Sequence, residues 1–245
     1  MLEEETLEKI QKLQKAIDES EKIVFFGGAG VSTESGIPDF RGAHGLYTEN
    51  LSAEEIISHD YFMENPEGFY EFYKSHMVFL DAEPNACHWK LAELEAAGKD
   101  VTVITQNIDG LHQKAGSKHV IELHGSVHRN RCLNCGKSFD AEYVMAQDGV
   151  PHCDRCGGLL KPDVVLYGEA LDEDAISGAI EALEEADLLI VGGTSLRVYP
   201  AASFVEYFEG TKRFFINLGD NPLRGYTYID APIGEVFAEI EVRTK

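Results

Sequence analysis

Short apolar runs alternate along this chain with longer amphipathic stretches, and the alternation predicts its secondary structure. Apolar runs bounded by turn residues are typical of strands buried on both faces. They predict strands at Ile23–Phe26, Val101–Thr105, Val120–Leu123, Val164–Tyr167, Leu188–Val191 and Arg213–Leu218. Apolar positions at helical spacing predict helices at Leu2–Glu19, Pro66–Leu80, Ala86–Ala97, Asp172–Ala186 and Pro200–Phe208. Helices that alternate with strands favour an α/β fold with a parallel sheet and helices on both faces.

Two stretches interrupt the alternation. Residues 38–80 are an aromatic-rich excursion of helices and loops, and residues 128–160 have little apolar pattern. A segment of about thirty residues is too short to build a useful core and needs a staple such as a metal. We therefore predict a Rossmann-like nucleotide-binding domain from residues 1–37, 81–127 and 161–245. The first interruption would be a helical insertion, and the second a small metal-binding ribbon.

Four of the five cysteines occur in two C-x-x-C pairs, each followed by glycine. Cys132, Cys135, Cys153 and Cys156 can close a tetrahedron of thiolates around one Zn²⁺ ion. Such a tetrahedron leaves no coordination position for water or substrate, so this zinc would be structural. The trailing glycines can adopt positive φ and turn the backbone beside the sulfurs. Cys87 stands alone and is most simply a small buried hydrophobe.

The net charge narrows the choice of partners. The formal charge of −22 repels nucleic-acid phosphates and anionic lipid, so we expect neither nucleic acid nor membrane as a partner. Cationic partners such as lysine-rich protein segments would be favoured. Two disulfides are the alternative interpretation of the cysteine pairs. The odd cysteine count, the acidic start without an apolar leader and the lack of a membrane-spanning run predict a reducing, cytoplasmic location instead.

A glycine-rich segment, Gly27–Thr33, follows the first predicted strand. Small residues there allow backbone N–H groups to approach a phosphate. Thr33 stands where the dinucleotide fingerprint has its third glycine, so an ordinary hydride-transfer dehydrogenase is not supported. The loop Ser35–Gly42 comes next. In it Arg41 can neutralise a pyrophosphate, and Phe40 can cover a flat ring or a reactive sugar carbon.

Further polar residues follow the next two strands. Gln106, Asn107 and Asp109, in the segment Thr105–His112, can hydrogen-bond hydroxyls and a carboxamide. His124 lies at the end of the third strand, and its ordinary pKa near ~6.5 suits a general base at neutral pH. We expect six other histidines to be structural or solvated, namely His44, His59, His88, His119, His128 and His152.

Together these motifs resemble the sirtuins, the NAD-dependent protein lysine deacylases, in their bacterial and archaeal single-core form. The matching segments, in chain order, are Gly28–Ser32, Ser35–Gly42, Thr105–His112, His124-Gly125, the paired C-x-x-C, Lys161–Glu169, Gly193–Ala201 and Asn217–Gly219. The resemblance implies transfer of an acetyl group from acetyl-lysine to the ADP-ribose of NAD. Free lysine, nicotinamide and O-acetyl-ADP-ribose would be the products. It also implies a structural role for the zinc.

The resemblance further implies roles for individual residues. The set that would contact NAD is Ala29, Gly30, Thr33, Asp39, Phe40, Arg41, Gln106, Asn107, Ile108, Asp109, His124, Gly193, Thr194, Ser195, Asn217, Gly219 and Ile233. Among these His124 would take a proton from a ribose hydroxyl, and Asn107 would orient the ribose or a water. The substrate would bind as an added strand against Val165, Leu166, Tyr167, Gly168, Glu169 and Val198.

The acyl preference and the alternatives complete the expectations. Relatives that prefer acidic acyl groups use a tyrosine and, three residues later, an arginine. Tyr73 occupies the first place here but His76 the second, so we expect neutral acyl groups, acetyl above all. One alternative is a protein mono-ADP-ribosyltransferase with the same NAD pocket. Another is a zinc-ribbon interaction module that uses basic residues such as Arg129 and Arg131. The sequence predicts no oligomeric state.

Overall fold

Two β-sheets organise the chain in the computed structural model, which describes residues 3–39, 53–219 and 223–243. The strands are β1 (Lys22–Gly27), β2 (Asp100–Thr105), β3 (Val120–Glu122), β4 (Gly125–Cys132), β5 (Ser138–Phe139), β6 (Leu160–Val164), β7 (Leu188–Gly192), β8 (Lys212–Ile216) and β9 (Thr227–Ile229). The α-helices are α1 (Glu4–Glu19), α2 (Ala53–Ile56), α3 (His59–Glu64), α4 (Pro66–His76), α5 (Ala86–Ala96), α6 (Leu111–Ala115), α7 (Ala141–Met145), α8 (Glu173–Glu185) and α9 (Ile233–Ala238).

The larger sheet has six parallel strands in the order β3-β2-β1-β7-β8-β9. Its central strand β1 is apolar without alternation because both faces are covered. Ile23 and Phe25 face one core cluster, shared with α1, α5 and α9, whereas Val24 and Phe26 face the cluster beneath α8. This arrangement confirms the predicted α/β fold with helices on both faces of a parallel sheet.

Side-chain caps fix where several helices begin. Asp172 accepts a hydrogen bond from the Ala175 N–H at 2.9 Å at the start of α8. Asn65 accepts one from the Gly68 N–H at 3.1 Å at the start of α4, and Pro66 occupies the first turn of that helix. These two helices therefore start where the sequence supplies a capping oxygen. None of the described helices combines the length and apolarity that a membrane crossing requires.

The smaller sheet is antiparallel, in the order β5-β4-β6, and forms a second lobe together with α2, α3, α4 and α7. Phe62 and Phe69 from the helical segment share one core with Val127 and Leu160 from the small sheet. The Tyr70 hydroxyl donates to the Leu160 carbonyl at 2.6 Å across that core. The two stretches that interrupt the alternation thus pack against each other. The domain boundaries given above stay a prediction.

Some predicted elements differ from the structure. The segment Val164–Tyr167 is not a strand of the parallel sheet: β6 ends at Val164 and pairs antiparallel with β4. Beyond β6 the Glu169 carboxylate accepts a hydrogen bond from the Leu166 N–H, and the chain turns at Gly168, which has φ +90°. The predicted helix Pro200–Phe208 is a 3₁₀ helix at Ala201–Tyr207. The edge strand β9 was not predicted.

Candidate active site

The carboxyl ends of the parallel strands bring the predicted site residues to one edge of the sheet. Polar or glycine-rich segments follow β1, β2, β7 and β8 there: residues 28–33, 106–109, 193–195 and 217–219. Ligands of parallel α/β sheets bind at this edge because the connecting loops gather there.

The loops after β1 and β7 touch each other through their backbones. The Gly30 N–H donates to the Gly193 carbonyl at 2.7 Å, and the Gly28 N–H donates to the Gly192 carbonyl at 3.2 Å. A Cβ atom at Gly30 would lie 2.9 Å from the Gly193 Cα, and Gly193 itself has φ +59°. Side chains at these glycines would force the loops apart. The glycines thus allow the loops after β1 and β7 to pack closely at this edge of the sheet.

A chain of hydrogen bonds joins the loop after β1 to the loop after β2. The Ser32 hydroxyl donates to Asp109 Oδ2 at 2.6 Å, and Asn107 Nδ2 donates to the Ser32 oxygen at 3.1 Å. Asp109 Oδ1 accepts from the Leu111 N–H at 2.9 Å. Burial raises the pKa of Asp109, although the bonds from Ser32 and Leu111 oppose that shift. Ser32 was not among the predicted contact residues; its place in the glycine-rich segment was the available signal.

His124 sits between β3 and β4 with its ring turned toward the loop after β2. The Nδ1 atom lies 2.9 Å from the Gln106 carbonyl. Because a carbonyl only accepts, Nδ1 carries the proton and Nε2 keeps a lone pair when the ring is neutral. Burial lowers the pKa of His124, and the bond to Gln106 opposes this only in part. The ring is therefore neutral at pH 7 and able to accept a proton at Nε2.

Two further cofactor residues predicted from the resemblance contact each other across the edge. Gln106 Nε2 donates to the Thr194 hydroxyl oxygen at 3.2 Å, and the same oxygen accepts from the Leu196 N–H at 3.1 Å. Thr194 is buried, whereas the neighbouring Ser195 is exposed. Thr194 thus shapes the turn after β7 and ties it to the loop after β2.

The remaining cofactor predictions are placed unequally. Asn217 and Gly219 lie at the end of β8, where the Tyr228 hydroxyl donates to the Asn217 carbonyl at 3.1 Å. Ile233 is buried in the sheet core against Gly192, so its side chain does not face the edge. Several other residues from the predicted set lie along the loops already described. They are Ala29, Thr33 and Ile108, whereas Asp39 lies six residues beyond the loop after β1. Phe40 and Arg41 lie outside the described residues.

The predicted substrate segment is held by main-chain contacts on one side. The Val165 N–H donates to the His124 carbonyl at 3.0 Å, the Tyr167 N–H donates to the Ile57 carbonyl at 3.0 Å, and the His59 N–H donates to the Tyr167 carbonyl at 2.9 Å. Leu166 is buried in the core of the small lobe, and Tyr167 is 40% exposed. The segment is thus an ordered wall rather than a free loop.

Glu169 braces this wall from within. Its carboxylate accepts from the Leu166 N–H at 2.9 Å, from Lys161 Nζ at 3.0 Å and lies 2.9 Å from His59 Nδ1. Burial alone would raise the pKa of Glu169, but these donors outweigh it and the pKa lies below its usual value. The carboxylate is therefore occupied inside the protein. Val198, in the loop after β7, is half-buried.

The four paired cysteines form one cluster in the small lobe. Their sulfur atoms all lie within 4.8 Å of one another, with Cys132–Cys156 at 3.5 Å and Cys135–Cys153 at 3.7 Å. A zinc tetrahedron with Zn–S bonds of about 2.3 Å has edges of about 3.8 Å, so the cluster fits the ion. All five cysteines of the chain are free of disulfides.

The glycines after the pairs have the predicted conformation. Gly136 and Gly157 both have φ +70°. Each donates its N–H to the carbonyl of the first cysteine in its pair, Cys132 or Cys153, at 2.9 Å. These tight turns bring the two sulfurs of each pair to the same side, which is what metal ligation by a C-x-x-C pair requires.

The glycine-rich loops at the sheet edge, the half-buried neutral histidine and the four-thiolate cluster define an α/β nucleotide-binding protein with a metal-stapled lobe. The sequence model described as the Sir2 family matches residues 28–200. The chain belongs to the Sir2 family.

Relatives and solved structures agree with this assignment. The chain is 57% identical over 216 residues to an NAD-dependent protein deacetylase of Clostridium acetobutylicum, covering 86% of this chain and 88% of the relative. It is 46% identical to one of Listeria monocytogenes, covering 94% and 100%. A crystal structure of a Sir2 homologue with NAD aligns with TM-score 0.84 at 42% identity, covering 94% and 91%. A Sir2 structure with a p53 peptide and NAD⁺ aligns with TM-score 0.82 at 40% identity, covering 94% and 95%.

Proposed function

We propose that the protein is an NAD-dependent protein lysine deacetylase. One observation carries the proposal: His124 connects the two halves of the cleft. Its ring donates to the Gln106 carbonyl in the loop after β2, and its own carbonyl accepts from the Val165 N–H in the predicted substrate wall. A base at this position reaches both a nucleotide at the sheet edge and an acyl-lysine against Val165.

The sheet edge fits NAD. A Cβ at Gly28 would lie 2.8 Å from the Thr194 Cβ, so glycine allows the loops after β1 and β7 to pack together where the pyrophosphate is proposed to bind. We assign Ala29, Gly30 and Gln106 to the phosphates and ribose, and Asn217 to the adenosine half. The bound NAD supplies ADP-ribose as acyl acceptor and nicotinamide as leaving group.

The residues around His124 have separable tasks. His124 Nε2 accepts a proton from a ribose hydroxyl, which makes that oxygen a better nucleophile toward the acyl carbon. Asn107, held by its bond to Ser32, orients the ribose or a water. Ile108 and Asp109 hold the carboxamide end of the nucleotide. The raised pKa of Asp109 fits a buried carboxyl that exchanges hydrogen bonds with a neutral amide.

The substrate is proposed to enter as an added strand. Tyr167 already pairs with residues 57–59, and the substrate strand would lie between this segment and the loop at residues 196–199. Tyr167 and Val198 would flank the acyl-lysine side chain. Recognition by main chain explains why a sheet-edge wall, rather than a deep side-chain pocket, forms this side. Glu169 contributes by bracing the wall.

The zinc site is proposed to have a structural and not a catalytic role. β4 leaves His124 and enters the small lobe, and β6 leaves the lobe and leads to Val165. The four thiolates fix the lobe and so set the distance between the base and the substrate wall. They also require reducing conditions, which supports a cytoplasmic location.

The test is deacetylation of an acetyl-lysine peptide with NAD, with nicotinamide and O-acetyl-ADP-ribose measured by mass spectrometry. We expect His124→Ala to lose at least about a hundredfold in kcat, because general-base catalysis contributes that much. Zinc content and melting temperature should not change. The matched control is His119→Ala, which removes a 64% exposed histidine from the start of the same strand region. Substantial residual activity of His124→Ala would contradict the assignment.

The same samples separate the alternatives. Label from NAD that stays on protein would support mono-ADP-ribosyl transfer, whereas label recovered in O-acetyl-ADP-ribose supports deacetylation. A mobility shift of nucleic acid at physiological salt would support a zinc-ribbon binding module. We expect none, because the chain carries a formal charge of −22.

A further inference from the structure

Strand β4 carries a bulge directly after His124. Gly125 and Ser126 pair with Val164 and Asp163, but the next pair joins Asn130 to Pro162. The three residues 127–129 therefore have no paired residues on β6 in the ladder and bulge out of it. Bulges of this kind redirect side chains and are frequent beside active sites.

The bulge faces the loop that follows β2. The Val127 N–H donates to the Ile108 carbonyl at 3.0 Å, and His128 Nε2 lies 2.9 Å from the Asp109 carbonyl, to which it donates. The His128 ring lies over Gly110, since a Cβ there would be 2.7 Å from His128 Cδ2. Gly110 has φ +72°, so the chain turns sharply under the ring. Two consecutive carbonyls of this loop, those of Ile108 and Asp109, thus accept hydrogen bonds from the strand that leads into the metal-bearing lobe.

The neighbouring residue of the bulge holds the other flank of the cleft. Arg129 donates to Glu122 at 2.6 Å and to Asp163 at 2.8 Å, joining the end of β3 to β6. Arg129 therefore fixes the strands on either side of His124, while His128 alone reaches across to Asp109. This division of contacts separates the role of His128 from the general stability of the lobe.

We propose that His128 is a positioning residue that acts through Asp109. Its ring N–H fixes the peptide plane between Asp109 and Gly110. The orientation of that plane sets the direction of the Asp109 carboxyl. The carboxyl oxygens also accept hydrogen bonds from the Ser32 hydroxyl and the Leu111 N–H. The inference rests on the proposed function, in which Asp109 holds the carboxamide end of NAD. His128 was expected above to be merely structural or solvated.

The test compares two polar replacements of different reach. His128→Gln places an amide N–H at about the reach of Nε2, whereas His128→Asn is too short to meet the Asp109 carbonyl. We expect His128→Asn to raise the Kd for NAD, measured by calorimetry, about three- to tenfold, as the loss of one neutral hydrogen bond would. His128→Gln should stay within about twofold of wild type. The KM for NAD should follow the Kd, with the KM for peptide unchanged.

A readout independent of activity and a matched control complete the design. Hydrogen exchange of the Leu111 and Val127 amides should accelerate in His128→Asn and not in His128→Gln. The control is His152→Ala, which removes a histidine of the same lobe whose Nδ1 bonds only to the Gly157 carbonyl, 3.1 Å away. It should leave NAD affinity unchanged.

Equal NAD affinity and exchange in His128→Asn and wild type would overturn the proposal, as would an equal loss in His152→Ala. If the wild type released no nicotinamide, the proposed function would fail, and the exchange measurement would still decide the role of His128.

Discussion

A buried histidine makes the stability of this protein sensitive to mild acid. His88 is 0% exposed in α5, and its Nδ1 accepts the N–H of the capping residue Asn85 at 3.2 Å. Nε2 has no hydrogen-bond partner among the described residues. Burial lowers the pKa of His88 from 6.5 to about 4. The folded protein therefore binds this proton less readily than the unfolded chain.

The magnitude follows from the linkage between protonation and unfolding. Because the folded pKa is depressed, the stabilisation is complete above the unfolded pKa of 6.5 and is lost as the pH falls toward 4. The full shift corresponds to about 3 kcal/mol, of which about 2 kcal/mol is already lost at pH 5. Burial also lowers the pKa of His112, whose ring centroid is 4.6 Å from that of His88, so the loss for the pair is larger.

The perturbation is His88→Gln. Glutamine keeps an oxygen that can accept the Asn85 N–H, since it serves at this position of a capping box, but it does not titrate. The assay is urea unfolding of the zinc-loaded protein at intervals from pH 7.5 to pH 5. The stability difference between variant and wild type should move by about 2 kcal/mol in favour of the variant. Effects of acid on the thiolates are common to both proteins and cancel, whereas the coupling between His88 and His112 is present only in the wild type and adds to the difference.

The control is Met63→Leu, which changes a 53% exposed side chain, removes no titratable group and should give a difference that does not vary with pH. A His88→Gln difference constant to within about 0.5 kcal/mol over the same range would refute the reasoning, since one pKa unit is worth about 1.4 kcal/mol.

Three further predictions concern the small lobe. Cys132→Ala should lose zinc, measured by metal analysis, and most activity, although it removes no group that meets the reactants; full activity without zinc would contradict the structural role. Tyr73→Phe should be neutral or stabilising by about 1 kcal/mol in urea unfolding, because the buried Tyr73 hydroxyl has no hydrogen-bond partner among the described residues. Acetyl-lysine peptides should exceed succinyl-lysine peptides at least about tenfold in kcat/KM, because a buried carboxylate needs a cationic partner. His76, the residue in the arginine's place, stacks on Phe72 at 4.8 Å and bonds to Ser75.

The sequence predicted those features that depend on local pattern or on short motifs. Strands such as β1 and β7 are recognisable because a strand buried on both faces needs a continuous apolar run. The zinc cluster is recognisable because ligation fixes the spacing within each cysteine pair. The helical insertion was harder to predict: helix α4 ends at His76 rather than at Leu80.

Features that depend on contacts distant in sequence were missed or wrong. The prediction of a parallel strand at Val164–Tyr167 is wrong, because backbone groups of this segment form hydrogen bonds with Glu169 and with residues 57–59 instead. The Ser32–Asp109 hydrogen bond joins residues 77 positions apart, and no local sequence pattern predicts it. The side chain of Ile233 lies in the core beside Gly192, and the cofactor contact that the resemblance implies for this residue stays a prediction.

The common core of the small lobe has a consequence for the order in which the chain acquires structure during synthesis. Phe62 and Phe69 emerge from the ribosome long before Val127 and Leu160, the residues that cover them. Until β6 and the second cysteine pair have been made, this aromatic cluster has no partner surface and stays open to solvent and chaperones. Metal binding therefore comes late in synthesis, and it completes a lobe whose helical segment was made early in translation.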